Sequence, residues 1–228
     1  YRMVGGGGGF FGGGGPRNAG INPPNGAVIN YWLKEMKDSA KVSVSIFDKD
    51  KKLIRTYATD AKEARDKMEA AKGMNQFVWD MIYPEGERIE GMILWNGVPT
   101  GIKAAPGNYS AKIKAGNDSA ETTFTVKPDP NYKMTQAEYD EQFTFLLSVR
   151  DKFNETQKAI KDIRALRTQI NDFTGRQAKD MPKEVKQMAD TINKQMPAVD
   201  EALYETKAKS GRDVLNFPIK LTDKVSGL

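Results

Sequence analysis

The spacing of apolar residues changes at Pro128-Asp129-Pro130, and this change separates two classes of structure along the chain. Before these prolines, apolar and polar residues alternate in short runs such as VSVSIF at 42–47, which is typical of strands with one buried face. After them, apolar residues recur every three or four positions, which is typical of amphipathic helices. Because proline cannot donate a backbone hydrogen bond, the two prolines end the last strand and open a linker. The sequence therefore predicts a β domain followed by a helical one.

The β part is predicted to be an immunoglobulin-like β-sandwich of about seven strands. The runs rich in β-formers are 27–33, 42–47, 53–57, 76–79, 92–95, 109–114 and 122–126. The segment at 60–72 is instead rich in strong helix formers and precedes Gly73, so a helix is predicted there. Trp79 alternates with Phe77 in a short strand, and both side chains are expected in the core.

Two long helices are predicted after the prolines. The first begins at the capping box TQAE at 135–138 and is expected to end near Gly175. The second contains Pro197, where a kink or a restart is expected. The apolar stripe of the first helix is Tyr139, Phe143, Leu146, Phe153, Ile160, Ile163, Leu166, Ile170 and Phe173, and that of the second is Val185, Met188, Ile192, Met196, Val199 and Leu203. A short connection makes the two helices antiparallel. Thr222 is a candidate cap for a further helix.

Four ranges follow from these patterns. They are a glycine-rich linker at 1–26, the sandwich at 27–127, a second linker at 128–134, and a truncated helical hairpin region at 135–228. The glycine run at 5–15 cannot bury a core, and no Gly-Lys-Ser/Thr follows it, so a linker is predicted rather than a phosphate-binding loop.

The sequence contains neither cysteine nor histidine, which excludes several kinds of chemistry. Without cysteine the chain cannot form a disulfide or use a thiol nucleophile, and without histidine it cannot form a Ser-His-Asp triad. The usual zinc ligands are absent as well, and no cofactor or metal is predicted. The net charge of +5 comes from 35 basic and 30 acidic residues spread along the chain, so no nucleic-acid partner is expected. No apolar run reaches the roughly 20 residues of a membrane span, so no transmembrane segment is predicted.

Four segments, taken in order, resemble a known family. They are NPPNGAVI at 22–29, GMNQFVWD at 73–80, APGNY at 105–109 and NFPIKL at 216–221. Together they resemble the C-terminal region of BNR-repeat, sortilin-like β-propeller proteins of Bacteroidetes, which are often labelled glycosyl-hydrolase-like. The sandwich also resembles the immunoglobulin-like domain of flagellar hook-capping proteins.

The resemblance implies that the chain is the C-terminal part of a larger exported protein. An N-terminal β-propeller of the same parent protein would then be a partner, and the location would be the periplasm or outer-membrane surface of a Gram-negative bacterium. No catalytic residue is carried over, because the Ser-x-Asp-x-Gly-x-x-Trp turns of the propeller do not occur in this sequence. The tripeptides at 38–40, 118–120 and 190–192 match the O-glycan attachment pattern of exported Bacteroidetes proteins. Ser39, Ser119 and Thr191 are therefore candidate modification sites.

Catalysis by this chain would have to rely on a pair of carboxylates, as in glycosidases. The candidates are Asp80, Glu85, Glu87 and Glu90, near Trp79, Tyr83 and Trp95 in the sequence. Acidic residues are common in loops for solubility alone, and the isolated chain is expected to have no hydrolase activity.

Glycan binding is a second kind of function that the aromatic residues allow. Trp32, Tyr83 and Trp95 are candidate glycan contacts if they are exposed, and ordinary core residues if they are buried. The leading hypothesis is a non-catalytic accessory and assembly module that docks beside the propeller and joins protein partners in a cell-envelope complex. The alternative is a carbohydrate-binding module, or part of a sialidase-like glycosidase whose propeller lies outside this chain.

Overall fold

The computed structural model of the protein describes residues 24–36, 41–177 and 180–228. They form two compact units, each built from two segments of the chain. The first unit contains the described residues up to Tyr83 together with Lys103–Asp140, and the second contains Pro84–Ile102 and Glu141–Leu228. Residues 84–102, which lie inside the range predicted for the sandwich, thus belong to the second unit.

The first unit contains two antiparallel sheets. Its strands are β1 (Ala27–Leu33), β2 (Val42–Phe47), β3 (Leu53–Ala58), β4 (Gly73–Trp79), β5 (Gly107–Ala115) and β6 (Asp118–Val126). β1 pairs with β4, and the other sheet has the order β3-β2-β5-β6. This arrangement confirms a β-sandwich, with six strands among the described residues rather than seven.

Alternation along the strands fills the space between the two sheets. Val42, Val44 and Ile46 of β2 are buried, while the serines between them are partly exposed. The indole ring of Trp79 on β4 lies 5.4 Å from the ring of Tyr109 on β5, measured between centroids. Trp79 is 0 % exposed, so the prediction that it lies in the core is confirmed.

The helix predicted at 60–72 is wrong. Only Ala64–Asp66 forms a helical turn, and it is of the 3-10 type. The N–H of Met68 donates to the carbonyl oxygen of Ala58 at 3.1 Å, and the Met68 side chain is buried. Asp66 also accepts a hydrogen bond from Arg55 Nε at 2.6 Å. These contacts with β3 hold the segment against the sheet, and they outweigh its helix propensity.

The second unit is largely helical. Its helices are α1 (Gln136–Arg176), whose first residues belong to the first unit, α2 (Lys183–Leu203) and α3 (Leu221–Ser226). α1 begins at the predicted capping box, since Glu138 accepts from Thr135 N–H at 2.7 Å and Thr135 Oγ1 accepts from Glu138 N–H at 3.3 Å. α2 continues through Pro197 without a restart. None of the described helices is long and apolar enough to cross a bilayer.

Two side-chain contacts join α1 and α2. Arg164 Nε lies 3.2 Å from Asp200 Oδ2, and Asn193 Nδ2 donates to Asn171 Oδ1 at 2.9 Å. From the first contact to the second, the position on α1 rises by seven, from Arg164 to Asn171. The position on α2 falls by seven over the same step, from Asp200 to Asn193. This register confirms that the two helices form an antiparallel hairpin.

Thr222 does not cap a helix, and that prediction is wrong. α3 already begins at Leu221, and Thr222 Oγ1 donates to the carbonyl oxygen of Leu203 at 2.7 Å. The last carbonyls of a helix have no partner within the helix. The buried Thr222 hydroxyl therefore supplies a donor to the end of α2.

Candidate functional site

The strand predicted at 92–95 is wrong, because the backbone there bonds to side chains instead of to a neighbouring strand. Ile93 N–H donates to the hydroxyl oxygen of Tyr204 at 2.8 Å. Trp95 N–H donates to a carboxylate oxygen of Asp223 at 2.7 Å. Tyr204 directly follows α2 and Asp223 lies on α3, so the 84–102 segment is bound to the C-terminal end of the helical unit.

The start of the same segment lies against α1. Glu87 N–H donates to Asn154 Oδ1 at 2.7 Å, and the Glu87 carboxylate pairs with Lys161 Nζ at 2.8 Å. A Cβ atom added to the buried Gly86 would lie 3.0 Å from the Phe153 ring, so a larger residue here would require the ring to shift. The 84–102 segment therefore covers the part of α1 between Phe153 and Lys161.

Beyond Lys161 the apolar stripes of the hairpin are largely uncovered, and we call this surface the open face. It consists of Ile163, Leu166, Ile170 and Phe173 on α1 and Val185, Met188, Ile192, Met196 and Val199 on α2. Phe173 is 52 % exposed and Met188 is 65 % exposed. Leu166, Val185, Ile192 and Val199 are also exposed. An amphipathic helix normally buries such a stripe.

Helix geometry places both stripes on one side of the hairpin. In each helix, two residues of the stripe lie one position before a residue that contacts the other helix. These neighbours are Ile163 before Arg164, Ile170 before Asn171, Ile192 before Asn193, and Val199 before Asp200. One position corresponds to a rotation of about 100°. Because the helices are antiparallel, the same rotation on each helix turns both stripes to the same broad side, and the open face is continuous.

The border of the open face carries opposite charges on α1. Asp162 and Arg176 lie along the outer edge of the stripe, fourteen positions apart, and both are exposed. Asp162 pairs with Lys158, and Arg176 lies 3.9 Å from Asp172. An open depression of about 320 Å³ at this end of α1 is lined by Gln169, Asp172, Phe173, Arg176 and Gln177.

The three candidate glycan contacts have different surroundings. Tyr83 is 7 % exposed and belongs to the core of the first unit, so its ring offers no surface to a ligand. Trp95 is 54 % exposed on the 84–102 segment. Trp32 is 68 % exposed on β1, on the same face of the small sheet as Asn30 and Gln76. Gln76 Nε2 donates to Asn30 Oδ1 at 3.3 Å, so an amide pair lies beside an exposed indole.

The four acidic residues considered for catalysis are divided between the units. Asp80, in the first unit, accepts a hydrogen bond from Ile82 N–H at 3.0 Å, which stabilises the local bend of the backbone. Glu85, Glu87 and Glu90 belong to the second unit, where Glu87 pairs with Lys161 and Glu85 with Arg88. Within the described residues, no group of three or more acidic side chains is arranged to hold a metal ion.

The candidate modification sites lie in different environments. Ser39 lies outside the described residues. Ser119 is exposed on β6, directly opposite Lys114. Thr191 is exposed on α2, but its hydroxyl donates to the carbonyl oxygen of Gln187 at 2.8 Å.

The open face is the surface that sequence reasoning described least well. The stripe residues were found by their spacing, but spacing shows only that a residue is on the apolar side of a helix. It cannot show where along α1 a covering segment ends. The contacts of Tyr204 and Asp223 with the 84–102 segment were missed as well, because a single Tyr or Asp carries no spacing pattern.

Comparisons of the chain with protein-family models, with curated proteins and with solved structures found no match.

Proposed function

We propose that the chain is a non-catalytic association module, and that its helical unit joins protein chains through the open face. The observation that carries this proposal is the continuous apolar side of the hairpin, with Phe173 and Met188 more than half exposed. Exposed contiguous apolar surface costs solubility and usually marks an interaction site. The resemblance in the four ordered segments supports a parent protein that has a β-propeller and is exported to the periplasm or cell surface.

The test is a photo-reactive benzophenone side chain placed on either side of α2 in the full parent protein. Position 188 lies in the open face, while position 194 is exposed on the opposite side of the same helix. Irradiation of cells that make the protein is expected to give adducts heavier than the chain from position 188 and few from position 194. Equal yields from the two positions, or no adducts from position 188, would show that the open face is not an association surface.

A second candidate function is carbohydrate binding at β1, and the surroundings of Trp32 favour it. A flat exposed indole beside the Asn30–Gln76 amide pair combines an apolar surface with hydrogen-bonding groups, as sugar-binding sites require. If this candidate is right, Trp32→Ala abolishes binding on a glycan array. Met74→Ala, which changes the exposed neighbour directly across the strand pair, is the control. An unmodified chain that binds no glycan on the array counts against it.

A further inference from the structure

The open face is large enough to support a specific contact with another protein. Residues 162–176 and 183–200 span about 25 Å at about 1.5 Å per residue, and two packed helices are about 20 Å wide. Two such faces packed together bury on the order of 1,000 Å², which is near the lower limit for a specific interface. This size favours an association that is specific but weak.

The spacing of the stripe on α1 is that of a helical bundle. Ile163, Leu166, Ile170 and Phe173 follow the 3/4 spacing of heptad positions a and d. In that frame Asp162, Gln169 and Arg176 occupy successive g positions, which flank the apolar seam. Charges at such positions set the partner and the orientation in helical bundles.

The order of these charges makes the edge of α1 complementary to itself. When two copies of α1 pack antiparallel with Gln169 at the centre, Asp162 of one copy lies opposite Arg176 of the other, and the reverse pair forms at the other end. Both residues are exposed, and their present partners, Lys158 and Asp172, are on the same helix. Exposed pairs of this kind contribute little, so exchanging them for pairs between two copies costs little.

We propose that the occupant of the open face is a second copy of this chain, and that the two hairpins form an antiparallel four-helix bundle with reciprocal Asp162–Arg176 pairs. This inference rests on the proposed association function and names its partner. A two-fold axis that crosses the hairpins places α1 against α1 and α2 against α2, so one surface serves both sides of the interface. Apolar stripes from four helices then enclose one core.

The experiment is sedimentation equilibrium of the full chain between about 1 and 200 µM, which covers the affinity range of small interfaces. The unmodified chain is expected to show a reversible monomer–dimer equilibrium. Arg176→Asp replaces both attractive pairs with repulsive ones and is expected to raise the dissociation constant about 10-fold. The double variant Asp162→Arg/Arg176→Asp reverses both charges and is expected to restore the constant to within about 3-fold.

Two further variants separate the face from the rest of the surface. Met188→Glu is expected to abolish dimerisation, and Lys194→Glu on the opposite side of α2 is expected to leave it unchanged, with circular dichroism confirming that both variants are folded. A monomer at all concentrations overturns the inference, and so does a dimer that Met188→Glu does not affect. If Arg176→Asp weakens the dimer and the double variant does not restore it, the antiparallel pairing is wrong.

The two proposals fail in different ways. If the purified chain is a monomer while position 188 forms adducts with a different protein in cells, the second copy is excluded and the association function stands. If position 188 forms no adducts, the association function itself fails.

Discussion

Trp79 is the largest side chain with full burial in the first unit, and it contacts both neighbouring aromatic rings of the opposite sheet. Its ring centroid lies 5.4 Å from that of Tyr109 and 6.0 Å from that of Phe124. Its indole N–H has no hydrogen-bond partner among the described residues. Packing and ring contacts therefore account for its stabilising effect, and hydrogen bonding does not.

We expect Trp79→Ala to lower the free energy of unfolding by about 3–5 kcal/mol, because the cavity cannot be refilled by side chains on two rigid sheets. Trp79→Phe should cost clearly less, since it retains a ring and removes a buried donor that has no partner. Urea denaturation followed by circular dichroism measures both. An alanine variant as stable as the unmodified chain would contradict the core assignment.

Two buried tyrosines make the first unit sensitive to alkaline pH. Burial raises the pKa of Tyr57 to about 12 and that of Tyr109 to about 12. Because the folded state holds these protons more tightly than the unfolded state, the stability they contribute is present below about pH 10 and is lost as the pH rises towards 12. The urea midpoint should therefore fall between pH 9 and pH 11.5.

Removing one hydroxyl tests this explanation. In Tyr57→Phe the fall in the urea midpoint between pH 9 and pH 11.5 should be smaller than in the unmodified chain. Tyr132→Phe changes an exposed tyrosine and should leave the fall unchanged. If the three proteins behave alike, groups other than the buried tyrosines cause the alkaline loss of stability.

Among the elements, α1 has a carboxylate, that of Glu138, hydrogen-bonded at its start. Hydrogen bonds from the backbone N–H and the hydroxyl of Thr135 lower the pKa of Glu138 below its usual value. The ionised carboxylate therefore favours the folded state at neutral pH. That contribution is lost as the pH falls through the lowered pKa.

We expect the first turn of α1 to fray in acid while the middle of the helix remains formed. Cα chemical shifts of residues 136–140 measured from pH 7 to pH 3 should move towards unfolded values. In Glu138→Gln the same residues should be partly frayed at pH 7 and should change little with pH, because no charge is lost. A first turn that keeps its helical shifts at pH 3 would show that the capping box is not needed.

The sequence predicted the elements whose pattern is local. The bounds of β1 and β2 agree with the predicted runs, and the helical spacing predicted α1 and α2. The helix predicted at 60–72 and the strand predicted at 92–95 were wrong. In both segments a backbone N–H bonds to a group that is distant in sequence or lies in another element. The distance from Trp95 to Asp223 is 128 positions, and no window of local pattern spans that range. The extent of the open face is not a local property either, because it depends on where the 84–102 segment ends along α1.

At the scale of the whole molecule, the chain passes from one unit to the other at 83–84, 102–103 and 140–141. The residues predicted as a linker at 128–134 lie in the first unit, before the last of these passages. A cut there leaves the 84–102 segment on the N-terminal piece and its partners Tyr204 and Asp223 on the C-terminal piece.

We expect trypsin to cut at the exposed Lys133, and the two pieces to elute together on a gel-filtration column. In urea they should elute separately. The double variant Tyr204→Phe/Asp223→Ala removes the acceptors for Ile93 and Trp95 and should weaken the association of the pieces. Asp213→Ala removes hydrogen bonds to Lys209 and Ser210 within the C-terminal piece and is the control. Pieces that separate without urea would favour two independent domains.

The hydrogen bond between Trp95 and Asp223 also limits the order in which the two units can fold during translation. At about 5–20 residues per second, the 128 positions between them take roughly 6–26 s to translate. During that interval the Trp95 amide has been made but its acceptor Asp223 has not, so this amide bonds to water instead. The strands of the first unit can all be made before α1 is complete. The second unit can close only when α3 (Leu221–Ser226) has left the exit tunnel, and a chain that stalls before α3 therefore carries a finished sandwich and an unfinished helical unit.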